Sequence, residues 1–347
     1  MKAIAAFLTV ALLFSCLFLA CSRESSSNYW PTSEWRVIAP EKAGIDATVL
    51  EGLSSVQSIL PDVSSILVVR KGYIALEKYY EGDAKTLRST FDITKSVVSC
   101  LIGVAIKQGL INSIDKKMID SFPENQIIRS DPLTQRITLR HLLTMSDGIR
   151  DSGNLLELYF NDPKMFKKLR ADPGSIFQYN NMSAQIVSMI LTNATGKSAF
   201  DYAKQHLFSP LGITECSWAK SRGISNGAYG ILLTTRDLAK FGYLYLNKGT
   251  WEKQELIPEK WVADSTVEQI TTEDSSNYFK QYGFYWWVHT FGAHPGYFAC
   301  GWGGQILCIV PDLSIVAVVT SRETTLEGAE PKYLEVIEKN ILNSIIE

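Results

Sequence analysis

The chain has 347 residues, 46% of them hydrophobic and 20% charged, which is the composition of a folded globular protein. A formal net charge of −2, with no basic run and no aromatic-spaced basic stripe, excludes nucleic acid as a partner. The length suits about two domains or one large one.

Lys2 precedes an apolar run, Ala3 to Ala20, broken only by Thr9, Ser15 and Cys16, in the order of a signal peptide's charged and apolar regions. The run stops at Ala20-Cys21, and the polar stretch Ser22 to Asn28 has the composition of a flexible tether. A cysteine behind a small residue at this point resembles a bacterial lipobox, with Phe18 where leucine is usual; Leu13-Phe14-Ser15-Cys16 offers a second one. An uncleaved anchor helix and simple secretion are the alternatives, and all three export the domain. The expected layout is a signal peptide over 1–20, a lipidated Cys21 heading a tether over 21–40, and a domain over 41–347 outside the membrane, facing the periplasm or cell exterior.

With Cys21 lipidated, Cys100, Cys216, Cys300 and Cys308 remain in the domain, scattered and without C-x-x-C spacing. The histidines His141, His206, His289 and His294 also lack ligand spacing. No metal and no cofactor is implied, and the spacing selects no disulfide pair and no oligomeric state. Cys100 and Cys308 sit in apolar runs and read as small buried residues.

Ile66 to Val69 and Tyr73 to Leu76 flank Arg70-Lys71-Gly72 as a β-hairpin. Asp92 to Leu110 is apolar nearly all round and predicts a buried helix ending near Gly109. Ile137 to Leu143 begins a second helix, and Ser183 to Thr195, closed by Gly196, a third. Tyr282 to Trp287 is a strand-like aromatic run of core character. Gln305 to Val310 and Ser314 to Thr320 form a second hairpin, and Pro331 to Ile346 has helical apolar spacing. Strands at both ends with helices between them predict an α/β (α+β) fold. Its antiparallel sheet part spans about 41–109 and 216–347, and a helical insertion about 110–215.

Asp92 and Lys95 fall on one helical face at i, i+3, the spacing at which an amine takes a proton from a nucleophile. Asp92-Ile93-Thr94-Lys95 thus holds the place of the S-x-x-K arrangement, with an aspartate in the serine's position. Further on come Ile137 to Gly148, a helix running into a serine- and glycine-containing loop, then Pro173-Gly174 leading into Tyr179-Asn180-Asn181. Gly230 to Gly242 and Gly301-Trp302-Gly303-Gly304-Gln305 follow, the last just before the final hairpin. In these motifs and their order the chain resembles the class C β-lactamase-related serine hydrolases. That group includes D-alanyl-D-alanine carboxypeptidases, family VIII esterases and 6-aminohexanoate-dimer hydrolases. The likeness covers roughly residues 40 to 345, and the tyrosine and tryptophan-glycine motifs lean toward the esterase and aminohexanoate-hydrolase members.

The resemblance implies a β-lactamase/transpeptidase-like fold with the active site between the sheet and helical parts, acting on amide or ester bonds of a small molecule or peptide. It assigns the nucleophile position to Asp92 and proton traffic to Lys95 and Tyr179. Asn181 would bond the lysine or the substrate, Trp302 would line the rim, and Gly303 and Gly304 would let a strand approach the substrate and give an oxyanion N–H. Asn180 and Asn181 read equally well as helix caps.

Asp92 conflicts with that chemistry. It is a good helix-starting residue through capping, dipole and the pair with Lys95. Yet a carboxylate there favours the ammonium form of the lysine and puts negative charge where an oxyanion belongs. Ser96 points away from Lys95, Ser99 lies one turn deeper, and Ser113 falls in the turn after the helix, so none replaces the missing hydroxyl. Three accounts follow: a non-catalytic envelope protein binding a peptide, peptidoglycan or acyl ligand in the cleft; an aspartate working as nucleophile or base; or a replacement particular to this chain. No single-base change converts a serine codon to an aspartate codon, which counts against the last.

Overall fold

The computed structural model describes residues 29–124, 132–150, 169–323 and 328–346. The expected signal peptide and Cys21 lie outside the described residues.

One antiparallel sheet organises the molecule. Its strands are β1 (Val63–Arg70), β2 (Tyr73–Tyr79), β3 (Ile270–Thr271), β4 (Gln281–Tyr282), β5 (Trp287–Phe291), β6 (His294–Gly301), β7 (Gln305–Val310) and β8 (Ile315–Ser321). The order is β3-β4-β5-β6-β7-β8-β1-β2, so the C-terminal meander receives the N-terminal hairpin at one edge. Leu67 lies opposite Val318 and Val69 opposite Val316. Both predicted hairpins are present, and the first turns through Lys71 (φ 51°) and Gly72 (φ 85°), the paired positive φ that suits a tight hairpin.

Alternation along the strands divides the core into two layers. Ile66, Val68, Cys308, Ala317 and Val319 pack with Leu334, Ile337 and Ile341 of the C-terminal segment. Leu67, Val69, Leu307, Val316 and Val318 share the opposite core with the helices. Since both faces are covered, β1 is buried along its entire length, which is why Ile66 to Val69 run apolar without alternation.

The helices that matter for the site are α1 (Ile93–Lys107), α2 (Asn181–Thr195), α3 (Thr235–Leu246) and α4 (Glu330–Val336). Every residue of α1 from Ile93 to Ala105 is buried, as its all-round apolar pattern requires. Helix α2 starts at Asn181, earlier than Ser183, because the Asn180 side chain accepts the Met182 N–H at 2.8 Å; Gly196 (φ 68°) ends it. The C-terminal periodicity resolves into α4, a wider turn over Ile337–Ile341 and a tight turn over Leu342–Ser344.

The aromatic run at 282–287 is not one strand. β4 ends at Tyr282, the chain bends through Tyr285 (φ 63°), and β5 starts at Trp287. The bend presses Gly283 against the helix Glu259–Ser265, where a Cβ would lie 2.1 Å from the Ser265 carbonyl oxygen. Trp286 is consequently core, whereas Trp287 is half-buried. Cys100, Cys216, Cys300 and Cys308 are free thiols, with Cys100 and Cys308 fully buried.

Asp147 pins the loop before the helical layer to α2. Its carboxylate accepts the Ile149 N–H at 2.8 Å and the Ser183 hydroxyl at 2.6 Å. Burial pushes its pKa up to about 6, with these hydrogen bonds opposing the rise. A raised carboxyl pKa means that the folded state holds the proton more tightly than the unfolded one. The stability this contributes is full below about pH 4 and is lost as pH rises through about 6, a swing of about 3 kcal/mol. Asp147→Asn, which keeps an acceptor without the charge, is expected to raise Tm over wild type at pH 8 and to lose about half of that advantage at pH 5. Thermal melts at the two pH values check this.

Candidate active site

The strand pair Arg88–Ser89 and Ile231–Leu233 fixes the chain just before α1, and the Thr90 N–H and hydroxyl both bond the Ile231 carbonyl at 3.0 Å. Phe91 then takes φ 44°, the left-handed region that bulky residues rarely occupy. The last residue of β6 abuts this turn: a Cβ on Gly301 would lie 2.5 Å from the Thr90 carbonyl oxygen. That close approach brings Trp302 onto Asp92, and the Trp302 and Phe91 rings pack edge-on at 5.6 Å.

Asp92 stands at the N-terminus of α1, but its side chain does not cap the helix. Its backbone is already helical (φ −70°, ψ −12°), and the N–H groups of Ile93, Thr94 and Lys95 already donate to the carbonyls of Thr90, Phe91 and Asp92 at 3.1, 3.0 and 2.9 Å. Asp92 Oδ1 instead pairs with Lys95 Nζ and accepts a long hydrogen bond of 3.4 Å from the Tyr179 hydroxyl. Oδ2 accepts the Trp302 N–H, also at 3.4 Å. The i, i+3 pair expected from the sequence is thus formed, and the capping bond is not.

Lys95 is 1% exposed. Its ammonium donates to the Ala228 carbonyl at 3.2 Å and lies 4.8 Å from the centre of the Tyr179 ring. Ala228 is held in place because Asn226 Oδ1 accepts the N–H groups of Ala228 and Tyr229, at 2.9 and 3.1 Å. Gln185 Oε1 takes that of Gly227 at 2.8 Å.

Tyr179 comes from the segment before α2, which is fastened by the Gln178 N–H to the Met145 carbonyl at 2.7 Å. Its ring stacks on Trp287 at 6.0 Å and 13°, and Phe177 and Tyr282 pack edge-on around Trp287. Although Tyr179 is 36% exposed, its hydroxyl faces Asp92; desolvation first, then the Asp92 charge, pushes its pKa well above the usual phenol value. Of the two asparagines, Asn180 is the cap, and Asn181 opens α2 partly buried beside it.

Gly303 and Gly304 do not offer their N–H groups to Asp92. The Gly303 N–H goes to Glu330 at 3.1 Å and that of Gly304 to the Gly301 carbonyl at 3.2 Å. What the glycines permit is the turn itself, with φ of 80° and 98°, and a seat for Gly304 where a Cβ would strike Tyr333 at 2.4 Å. The N–H aimed at the carboxylate is that of Trp302.

These groups open into a cleft of about 500 Å³ whose wall includes Asp92, Phe177, Tyr179, Trp287, Cys300 and Trp302. A second cavity, of about 450 Å³, lies in the helical part by Met118 and Ile190 and contains none of them. The sequence reading missed Cys300, Phe177, Trp287, Phe279, Glu273, Asp274 and Glu330 as cleft residues. Cys300 lies near the end of β6, one residue before the close approach of Gly301 to Thr90 that brings the strand to the site. Burial first, then the charges of Glu330 and Asp92, push the Cys300 thiol pKa well above its usual value, which keeps it protonated and a poor nucleophile. Among the described residues no group of His, Cys, Asp and Glu has the arrangement of a metal site.

Residues 61–338 match the family profile described as Beta-lactamase. The chain belongs to the Beta-lactamase family. Consistent with this, it is 23% identical to an uncharacterized protein of Alkalihalophilus pseudofirmus over 318 residues, covering 79% of this chain and 88% of that one. A candidate 6-aminohexanoate-dimer hydrolase from Bacillus anthracis superposes with a TM-score of 0.72 at 18% identity, covering 92% and 90% of the two chains. For a class C β-lactamase from Rhodobacter sphaeroides the TM-score is 0.64 at 17% identity, with coverage of 87% and 99%. The fold is therefore that of the β-lactamases and penicillin-binding proteins, a serine-hydrolase scaffold.

Proposed function

We propose that this chain is a member of the Beta-lactamase family that binds a ligand in the hydrolase cleft without carrying out acyl transfer. The observation that carries the reading is the bonding of Asp92. Acyl transfer in a serine hydrolase requires a hydroxyl nucleophile, an amine with a free lone pair and an open set of oxyanion donors. At position 92 there is a carboxylate. The amine beside it is engaged as an ion-paired ammonium, and the Trp302 N–H is spent on Asp92 Oδ2.

Among the described residues, the three serines nearest to Lys95 in sequence pattern do not stand in for it. Ser96 donates its hydroxyl to the Tyr285 carbonyl at 2.6 Å, Ser99 is fully buried, and Ser113 accepts the Asp115 N–H at 3.0 Å in the turn beyond α1. Purified protein is expected to remain unlabelled by a fluorophosphonate probe and by labelled penicillin. Rapid labelling would sink the reading and favour the second one, an amide- or ester-cleaving hydrolase with an unforeseen nucleophile. The reading also places the domain outside the membrane on a lipidated Cys21. It is supported by the charged start, apolar run and small residue before that cysteine. The mass of the N-terminal peptide from membranes, with or without a diacylglyceryl group on Cys21, tests that part.

A further inference from the structure

The Asp92 charge is offset by Lys95, but the rest of the described cleft wall is unbalanced. It carries Glu273, Asp274 and Glu330, and none of its described residues is lysine, arginine or histidine. The apolar part of the wall is aromatic: Tyr179 stacked on Trp287, with Phe279 edge-on to Trp287 at 4.7 Å and 87°. Carboxylates and an aromatic wall favour the same kind of guest, one that carries positive charge on an apolar body.

We infer that the cleft takes a ligand bearing an ammonium group on an apolar body, and that it discriminates against carboxylate and phosphate ligands. The inference rests on the cleft being a binding site, as proposed above, and names the class of ligand. The apolar body lies against Trp287 and Phe279, and the ammonium meets the carboxylates of Glu273 and Asp274 at the rim. Because these two are exposed, the preference weakens with salt: screening shortens from about 10 Å at 0.1 M to about 3 Å at 1 M.

Three probes that differ in the charge of the head group test this on the full chain: 2-phenylethylammonium, 2-phenylethanol and phenylacetate. Binding is followed by calorimetry and by tryptophan fluorescence. The expected order is cation, neutral, anion, with about tenfold or more between cation and anion at low salt and a narrowing gap toward 1 M. The double variant Glu273→Gln, Asp274→Asn is expected to lose about fivefold in affinity for the cation, with the neutral probe unchanged. Its fold is not at issue, since both side chains are exposed and asparagine retains the acceptor for the Ser276 N–H, 2.7 Å away in the native protein. Equal affinities, a tightest-binding anion, no binding of the cation or an unaltered affinity in the variant would overturn the inference. Covalent labelling of wild type alongside a cation preference would instead remove the non-catalytic reading and leave the ligand class standing.

Discussion

Asp92→Ser is expected to turn this protein into an esterase. The substitution removes the carboxylate that holds Lys95 and the Trp302 N–H, leaving an amine one helical turn away and a backbone donor aimed at the reacting position. Tyr179 already directs its hydroxyl to the same point. Loss of the nucleophile in a serine hydrolase costs on the order of 10⁶ in kcat. Restoring one on a scaffold not tuned for it is expected to recover roughly 10²–10³ over wild type on p-nitrophenyl esters, with nitrocefin as the β-lactam comparison. Continued silence from a folded variant would mean that Tyr179, Asn181 and the Trp302 turn no longer form a competent site.

The second large effect concerns stability. Lys95 is buried and Asp92 is mostly so, with side-chain exposures of 1% and 19%. Removing one partner of such a pair leaves the other's charge in a poorly solvated place. Lys95→Met and Asp92→Asn are each expected to cost about 2–3 kcal/mol, below the fully buried range because Asp92 still meets solvent. The double variant, with neither charge left, is expected to cost at least about 1 kcal/mol less than the sum. Chemical denaturation of the four proteins measures the coupling. Strict additivity would mean that the pair contributes nothing to holding α1, and would weaken the argument that Asp92 is structurally comfortable there.

The sequence disclosed the scaffold well because burial is written into its pattern. β1 and α1 are covered on all sides, so both are mostly apolar with no polar face: Ile66 to Val69 run without a break, and apolar residues ring α1. Lys95 and Tyr179 were legible for another reason: their motif spacing reflects one helical turn and one loop-to-helix junction, and the structure brings both to Asp92.

The cleft wall was largely hidden. Trp287 sits in an aromatic run whose neighbour Trp286 is core, and only the bend at Tyr285 separates their fates. Glu273 and Asp274 belong to an exposed stretch between β3 and β4, where residue type carries no periodic signal. The donor at Trp302 was misplaced onto the following glycines. What fixes it is the contact of Gly301 with Thr90, far apart in the chain, and that contact has no local signature. The capping bond expected of Asp92 failed on a similar point: the turn through Thr90 and Phe91 already supplies carbonyls to the first N–H groups of α1, leaving none for the Asp92 side chain.

The central claim is that one side chain separates this protein from the chemistry of its family. The most direct measurement is mass mapping of a fluorophosphonate adduct on wild type and Asp92→Ser side by side. The account predicts an adduct on the variant, confined to residue 92, and none on wild type. An adduct on wild type at any serine, or at Cys300, would contradict it.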